Sequence, residues 1–326
     1  MIKGLKWAFK AAHQKGFLSL VVVALLAALL SIWCIRVDAS YGIASFTLIP
    51  FFIGAAPVVW HGRNKAISAG QAFVRALLCL GIYAAFLVLF LVEGLLCILM
   101  AFPIGLFFSW MGSLVGLMLI RQKPGLSTPF MVLLLGSIPG MSFMEREAII
   151  TEKPVVTRMP IAASAERIWE EVVAFKPMTA PNNWYFKAGI AYPTHARIEG
   201  EGIGAIRYCH FSTGAFVEPI TQWAPPYLLA FEVSASPPPM KELHYATLDL
   251  PHLHGYFVSK RGEFRIIPIA NDQCILQGTT WYALRLKPFG YWQWWADTIV
   301  HRIHLRVLEH IKAEAEKPNG LTFYAP

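Results

Sequence analysis

Hydrophobic positions follow two different patterns along this chain. In the first 147 residues they form unbroken blocks. Residues 17–35 carry no charge, and a helix rising about 1.5 Å per residue needs roughly twenty such residues to cross hydrocarbon. Residues 41–60 are a second uncharged stretch, interrupted by Pro50 and Pro57, which predicts a kinked span. Residues 76–120 are apolar apart from Glu93 and too long for one crossing. They are read as two spans turning back near Glu93-Gly94 or within residues 101–105. A fifth run, residues 125–144, contains Pro129, Pro139 and Gly140, and either crosses or lies shallow. Residues 1–147 are expected to form an α-helical membrane region of about five spans.

After Glu145-Arg146-Glu147 the blocks give way to short alternating runs. A strand is predicted over 153–161, with Val155, Thr157, Met159 and Ile161 on one face. Ser164 offers an N-cap for a short amphipathic helix carrying Ile168, Trp169, Val172 and Val173. Antiparallel candidates follow at 195–200, 203–211, 215–223 and 227–235, with hairpin-length connections. Two longer runs, 255–269 and 273–286, bring the number to about seven. Residues 291–317 lack Pro and Gly and predict one long terminal helix. Its apolar stripe is Trp292, Trp295, Ile299, Ile303 and Val307. This is an α+β order, a seven-stranded antiparallel sheet around a C-terminal helix, over residues 148–326. A sheet wrapped around a helix leaves an apolar cavity, the default ligand site.

Composition sharpens this picture. The 326 residues are 56% hydrophobic and only 15% charged, with a mean hydropathy of +0.49. Disordered, collagen-like and coiled-coil chains are excluded, and five cysteines make no disulfide framework. The net charge of +8 sits mostly beside the apolar blocks. Residues 1–147 hold eleven Lys/Arg against four Asp/Glu, whereas 148–326 hold seventeen against sixteen. The basic excess is therefore a topology signal, and no nucleic-acid partner is expected. Lys3, Lys6, Lys10 and Lys15 precede the first span; Arg63, Lys65, Arg75, Arg121 and Lys123 follow the second and fourth. The positive-inside rule then places the N-terminus in the cytoplasm. Five crossings deliver the C-terminal half to the outer side, periplasmic in a bacterial inner membrane, whereas a re-entrant fifth segment leaves it in the cytoplasm. Glu93 is placed at a hairpin turn in the headgroup layer rather than in an ion relay.

The segment Val156-Thr-Arg-Met-Pro-Ile-Ala-Ala-Ser-Ala-Glu-Arg-Ile-Trp169 runs a first strand through a small-residue turn into a Trp-bearing helix. The turn Gly200-Glu-Gly202-Ile-Gly204-Ala-Ile-Arg207 is a glycine-rich hairpin. With the order of elements, these resemble the START/Bet v1-like superfamily, also called SRPBCC or polyketide cyclase/dehydrase-like, over about 170 residues. The resemblance implies a helix-grip fold with a hydrophobic cavity, here fused behind a multi-pass membrane anchor that most members lack. It does not imply one activity, because the superfamily includes lipid carriers, hormone binders, cyclases and oxygenase subunits.

Candidate chemistry is rich in histidine and tryptophan. His252 and His254, at i and i+2, share one face of a strand, and the terminal helix adds Asp297, His301 and His304 at helical spacing. These five are candidate zinc or iron ligands, although no cofactor is expected; the alternative is hydrogen-bonding histidines partnered by Glu218, Glu232 or Glu263. For catalysis without metal, His252, His254 or His301 would act as general base, with Arg207 or Arg302 stabilising an enolate. Expected ligand contacts are Arg207, Glu218, Trp223, Trp281, Trp292, Trp295 and Arg302. Ser236-Pro-Pro-Pro-Met240 is expected to roof the cavity mouth. The primary expectation is non-catalytic binding of a hydrophobic small molecule or lipid beside the bilayer, for transfer or presentation. A cyclase/dehydratase-like or metal-dependent enzyme is the alternative, and a ligand-sensing or interaction module the second.

Overall fold

The computed structural model describes residues 2–63, 66–122, 124–146, 152–241, 253, 255–270 and 272–317. His252 and His254 lie outside the described residues. The chain divides into two compact units, the first built on residues 1–149 and the second on 150–241, 253–285 and 289–326.

The first unit contains α1 (Ile2–Arg36), a π-helical turn (Ala44–Leu48) that runs directly into α2 (Ile49–Gly62), α3 (Ala69–Leu89), α4 (Leu95–Gln122) and α5 (Ser127–Met144). Five helical stretches are long and apolar enough to cross a membrane: Gly16–Arg36, Ala44–Gly62, Ala69–Leu89, Leu95–Gln122 and Ser127–Met144. The irregularity expected near Pro50 takes the form of the π-helical turn, which ends where proline's missing N–H interrupts the ladder. The long apolar block turns back at residues 90–94, beside Glu93-Gly94. Glu93 is buried there, at 7% exposure. The return of the chain is tight, with the Val92 and Glu93 amides donating to the Leu87 carbonyl at 2.9 and 3.2 Å.

Glycine sets the closest helix pair. A Cβ at Gly54 would fall 1.9 Å from the Ser109 carbonyl oxygen, and one at Gly112 would fall 2.1 Å from that of Phe51. Backbone packs on backbone here, as small residues allow between apolar helices. The helix ends then fix the direction of each element. At one end Asp38, after α1, pairs with Arg146, after α5, and the Ile43 amide donates to Glu145 Oε1 at 2.9 Å. At the other, Arg63 bonds Thr128 at the start of α5, Arg75 bonds His61 at 2.9 Å, and Arg121 donates to the Ile67 carbonyl at 2.9 Å. The helices therefore alternate in direction, and α5 runs from the Arg63 end of the unit to the Asp38 end.

The second unit follows the order β1 (Glu152–Ile161), α6 (Ala165–Val173), α7 (Trp184–Lys187), β2 (Pro193–Glu199), β3 (Ile206–Phe211), β4 (Gly214–Ala224), β5 (Leu228–Glu232), β6 (Phe257–Ala270), β7 (Gln273–Leu284) and α8 (Phe289–Ala315). The seven strands form one curled antiparallel sheet in the order β1-β7-β6-β5-β4-β3-β2. β3 begins at Ile206 rather than 203 because Gly200, Gly202 and Gly204 have φ of 87°, 83° and 90°, a left-handed turn that no strand can include. The core lies between the sheet, α6 and α8. Ile168, Leu229, Leu276 and Ile311 are fully buried in it, each contributing about 1.5–3 kcal/mol of transfer free energy.

Candidate ligand-binding cavity

Alternation along the strands builds the site. Arg207, Cys209 and Phe211 occupy every second position of β3, and Phe216 and Glu218 do so on β4, so all five face inward. Helix α8 closes the opposite wall with Ile299, Ile303 and Val307, and residues 236–239 complete the lining. The enclosed space, with its mouth, is about 1090 Å³. Thr213 Oγ1 donates to the Pro238 carbonyl at 2.8 Å and the Ala191 amide to that of Pro239 at 3.0 Å, which fixes the proline segment. Gly262 is needed on β6 because a Cβ there would fall 2.6 Å from Phe231 Cζ. Its absence lets that ring lie across the strand and into the cavity wall.

Arg207 is the largest fully buried side chain, at 1% exposure. Its Nε donates to the Val173 carbonyl at 3.2 Å and its Nη1 to Glu218 Oε2, while Nη2 has no hydrogen-bond partner among the described residues. The guanidinium carbon lies 5.7, 5.7 and 5.5 Å from the ring centroids of Phe175, Phe231 and Phe264, within cation–π range. Desolvation pulls the guanidinium pKa down, but Glu218 and Cys209 outweigh it and carry it above the ordinary value. Burial pushes the Glu218 carboxyl up against the opposing effect of Arg207. Burial likewise lifts the Cys209 thiol to about 12, so it is no nucleophile.

A second polar cluster lies where β1 and β7 meet α8. The Thr157 hydroxyl is shared between His301 Nδ1 at 2.8 Å and His304 Nδ1 at 3.1 Å, and His304 Nε2 meets the Thr280 hydroxyl at 2.8 Å. Desolvation, then the neighbouring His301, lowers the His304 pKa to about 4, so this imidazole is neutral. His304 and Thr280 line the cavity, whereas His301 is exposed.

Of the expected ligand contacts, Arg207 and Glu218 line the cavity; Trp223, Trp281, Trp292, Trp295 and Arg302 do not. Trp223 packs edge-on to Trp169 at 5.2 Å under α6. Trp281 alternates to the face opposite Thr280, where the Arg261 guanidinium lies 4.2 Å over its ring. Trp292 is buried two turns before Ile299, roughly 10 Å along the helix. Trp295 is half-buried against the exposed Trp294, and Arg302 points to solvent. Asp297 accepts from the Tyr282 hydroxyl at 2.5 Å and from Gln293 at 3.2 Å. Among the described residues no group of three His, Cys, Asp or Glu side chains is placed to hold a metal ion. Thr157 and Thr280 were not singled out as site residues, although each lies on a largely apolar inward face.

No family model and no curated protein matches the chain. Solved structures do. Truncated norcoclaurine synthase from Thalictrum flavum is 15% identical over 53% of this chain and 99% of its own, with a TM-score of 0.33. The Zhui aromatase/cyclase from Streptomyces sp. R1128 is 16% identical over 51% and 94%, at 0.34. The Aha1 protein from Colwellia psychrerythraea is 15% identical over 52% and 99%, at 0.31. The architecture rests on the strand order itself rather than on likenesses this distant. Seven antiparallel strands curled about a long C-terminal helix, over an apolar cavity, are a helix-grip arrangement. The chain joins this helix-grip unit to five helices long and apolar enough to cross a membrane.

Proposed function

We propose that this chain is a membrane-anchored binder of a hydrophobic small molecule or lipid bearing an acceptor oxygen, carried for transfer or presentation at the bilayer. The observation behind this reading is Arg207, a buried cation in an aromatic wall whose Nη2 amino group has no partner among the described residues. A buried donor without a partner costs about 1–3 kcal/mol or more when charged, and a ligand carbonyl or carboxylate oxygen would recover that cost. Six phenylalanines around the same space would hold the apolar remainder.

The apolar helices are read as five crossings. The end marked by Arg63, Arg75 and Arg121 is the basic one, which supports a cytoplasmic position for it and for the N-terminus. Residues after α5 then continue on the outer side, periplasmic in a bacterial inner membrane. Mass spectrometry of organic extracts from the purified full chain tests the binding reading. Wild type should carry a near-stoichiometric amphiphile, reduced at least tenfold in Arg207→Lys, which keeps a cation beside Glu218 but removes the free Nη2. Equal extracts from both would sink it.

A further inference from the structure

The four hydrogen-bonded groups Thr280, His304, Thr157 and His301 form an unbroken path from the cavity lining to an exposed imidazole. Thr157 has one hydroxyl hydrogen and meets two Nδ1 atoms. It must therefore donate to one histidine and accept from the other. A neutral His304 likewise donates through one nitrogen and accepts through the other. Only two arrangements of the whole chain satisfy every member. In one, Thr280 donates to His304 Nε2, His304 Nδ1–H donates to Thr157, and Thr157 donates to His301 Nδ1. In the other, every donor and acceptor is reversed.

We propose that Thr280, His304, Thr157 and His301 are a proton relay between a ligand in the cavity and the outside of the domain. The proposal rests on the reading of the cavity as a ligand site. The ligand class it implies is an oxygen acid, a phenol or the enol of a 1,3-dicarbonyl. Its hydroxyl gives a proton to Thr280 Oγ1 as the Thr280 proton passes to His304 Nε2. The His304 Nδ1 proton passes to Thr157 as the Thr157 proton passes to His301 Nδ1. The ligand ends as its anion and His301 as imidazolium; only O–H and N–H bonds are exchanged, and nothing is oxidised. Arg207, lining the same cavity, supplies the cation for that anion. A His304 that resists holding charge suits a group that passes protons without storing them.

Other ionisable groups surround the path. Asp297, one turn back on α8, is held by Tyr282 of β7. Lys153 shares the inward face of β1 with Thr157, Arg207 and Glu218 line the same cavity as His304, and Arg261 lies over Trp281 on the opposite face of the sheet. None of these bonds to the members of the path among the described hydrogen bonds.

The path can be tested without knowing the natural ligand. The full chain with ¹⁵N-labelled histidine, in detergent micelles, is titrated from about pH 8 to about pH 5. A protonated His301 must donate from Nδ1, so Thr157 must turn to His304, and His304 must change tautomer while remaining neutral. The expected result is that His304 Nδ1 moves from the protonated to the unprotonated ring-nitrogen range as Nε2 moves the opposite way. His301→Gln, an exposed substitution, and Thr157→Val should each abolish the exchange, and Thr157→Ser should keep it. A His304 that holds one tautomer throughout, or one that still exchanges in His301→Gln, overturns the relay. 2-Naphthol, followed by its fluorescence, separates this from the binding reading. Bound 2-naphthol with no tautomer exchange removes the relay alone, and exchange without 2-naphthol binding removes the phenol or enol as its ligand class.

Discussion

Arg207 of β3 and Glu218 of β4 are direct partners in the strand register, and their side chains form an ion pair at 1% and 7% exposure. Alternation forces both inward, so neither charge can reach water. Removing one partner strands the other in an aromatic wall, at about 3–5 kcal/mol, whereas replacing both by apolar groups is often neutral. Arg207→Met and Glu218→Leu should each lower the thermal midpoint of the purified chain by several degrees, and the double variant should regain most of the loss. Additive losses in the double variant would mean that the pair is not coupled.

His304 makes stability depend on pH with a definite sign. Its folded pKa, about 4, lies below the ordinary value of 6.5. Between these values the unfolded chain holds the extra proton, so stability rises with pH across the window and is lost as pH falls from 6.5 toward 4. The loss amounts to about 3 kcal/mol at most. Thermal midpoints of wild type and His304→Gln should converge as pH is lowered through this window. A constant difference between them from pH 7 to 4 would show that folding does not lower the His304 pKa.

Long-period features were legible in the sequence and fine placement was not. The apolar blocks, the inward face of β1 and the single terminal helix follow from uninterrupted runs and simple alternation, whereas the turn of the long block was left between Glu93-Gly94 and residues 101–105. Arg207 and Glu218 were reachable because each sits in a predicted strand. The tryptophans misled for a physical reason. Aromatic bulk marks burial, but helical and strand phase decide whether it faces cavity, core or the far side of the sheet, and Trp281 differs from Thr280 by a single residue. Thr157 and Thr280 gain their meaning only when β1, β7 and α8 come together, and no local spacing encodes that.

Helices α2 and α4 depend on glycine at their crossing. Gly112→Leu would drive a side chain into the Phe51 carbonyl, and neither backbone can yield without separating the helices. The variant should lose at least half of its folded yield in detergent and become sensitive to added protease. Gly136→Leu, at a position where a Cβ meets nothing within 4 Å, is the matched control and should behave as wild type. Equal behaviour of the two variants would show that close α2–α4 packing is dispensable.

The pairing of helix ends makes the topology testable residue by residue. Val37 and the Asp38–Arg146 pair mark one end of the first unit, and Gly125 lies beside the opposite end, near Thr128. Cysteines at Val37, Gly125 and Ala162, all exposed positions, would be introduced singly after replacing Cys34, Cys79, Cys97, Cys209 and Cys274. In bacterial spheroplasts, a membrane-impermeant maleimide should label Val37→Cys and Ala162→Cys directly and Gly125→Cys only after lysis. This result follows from five crossings with the basic end in the cytoplasm. Labelling of Val37→Cys without Ala162→Cys would mean that α5 does not cross. Direct labelling of Gly125→Cys alone would invert the assignment and place the helix-grip domain in the cytoplasm.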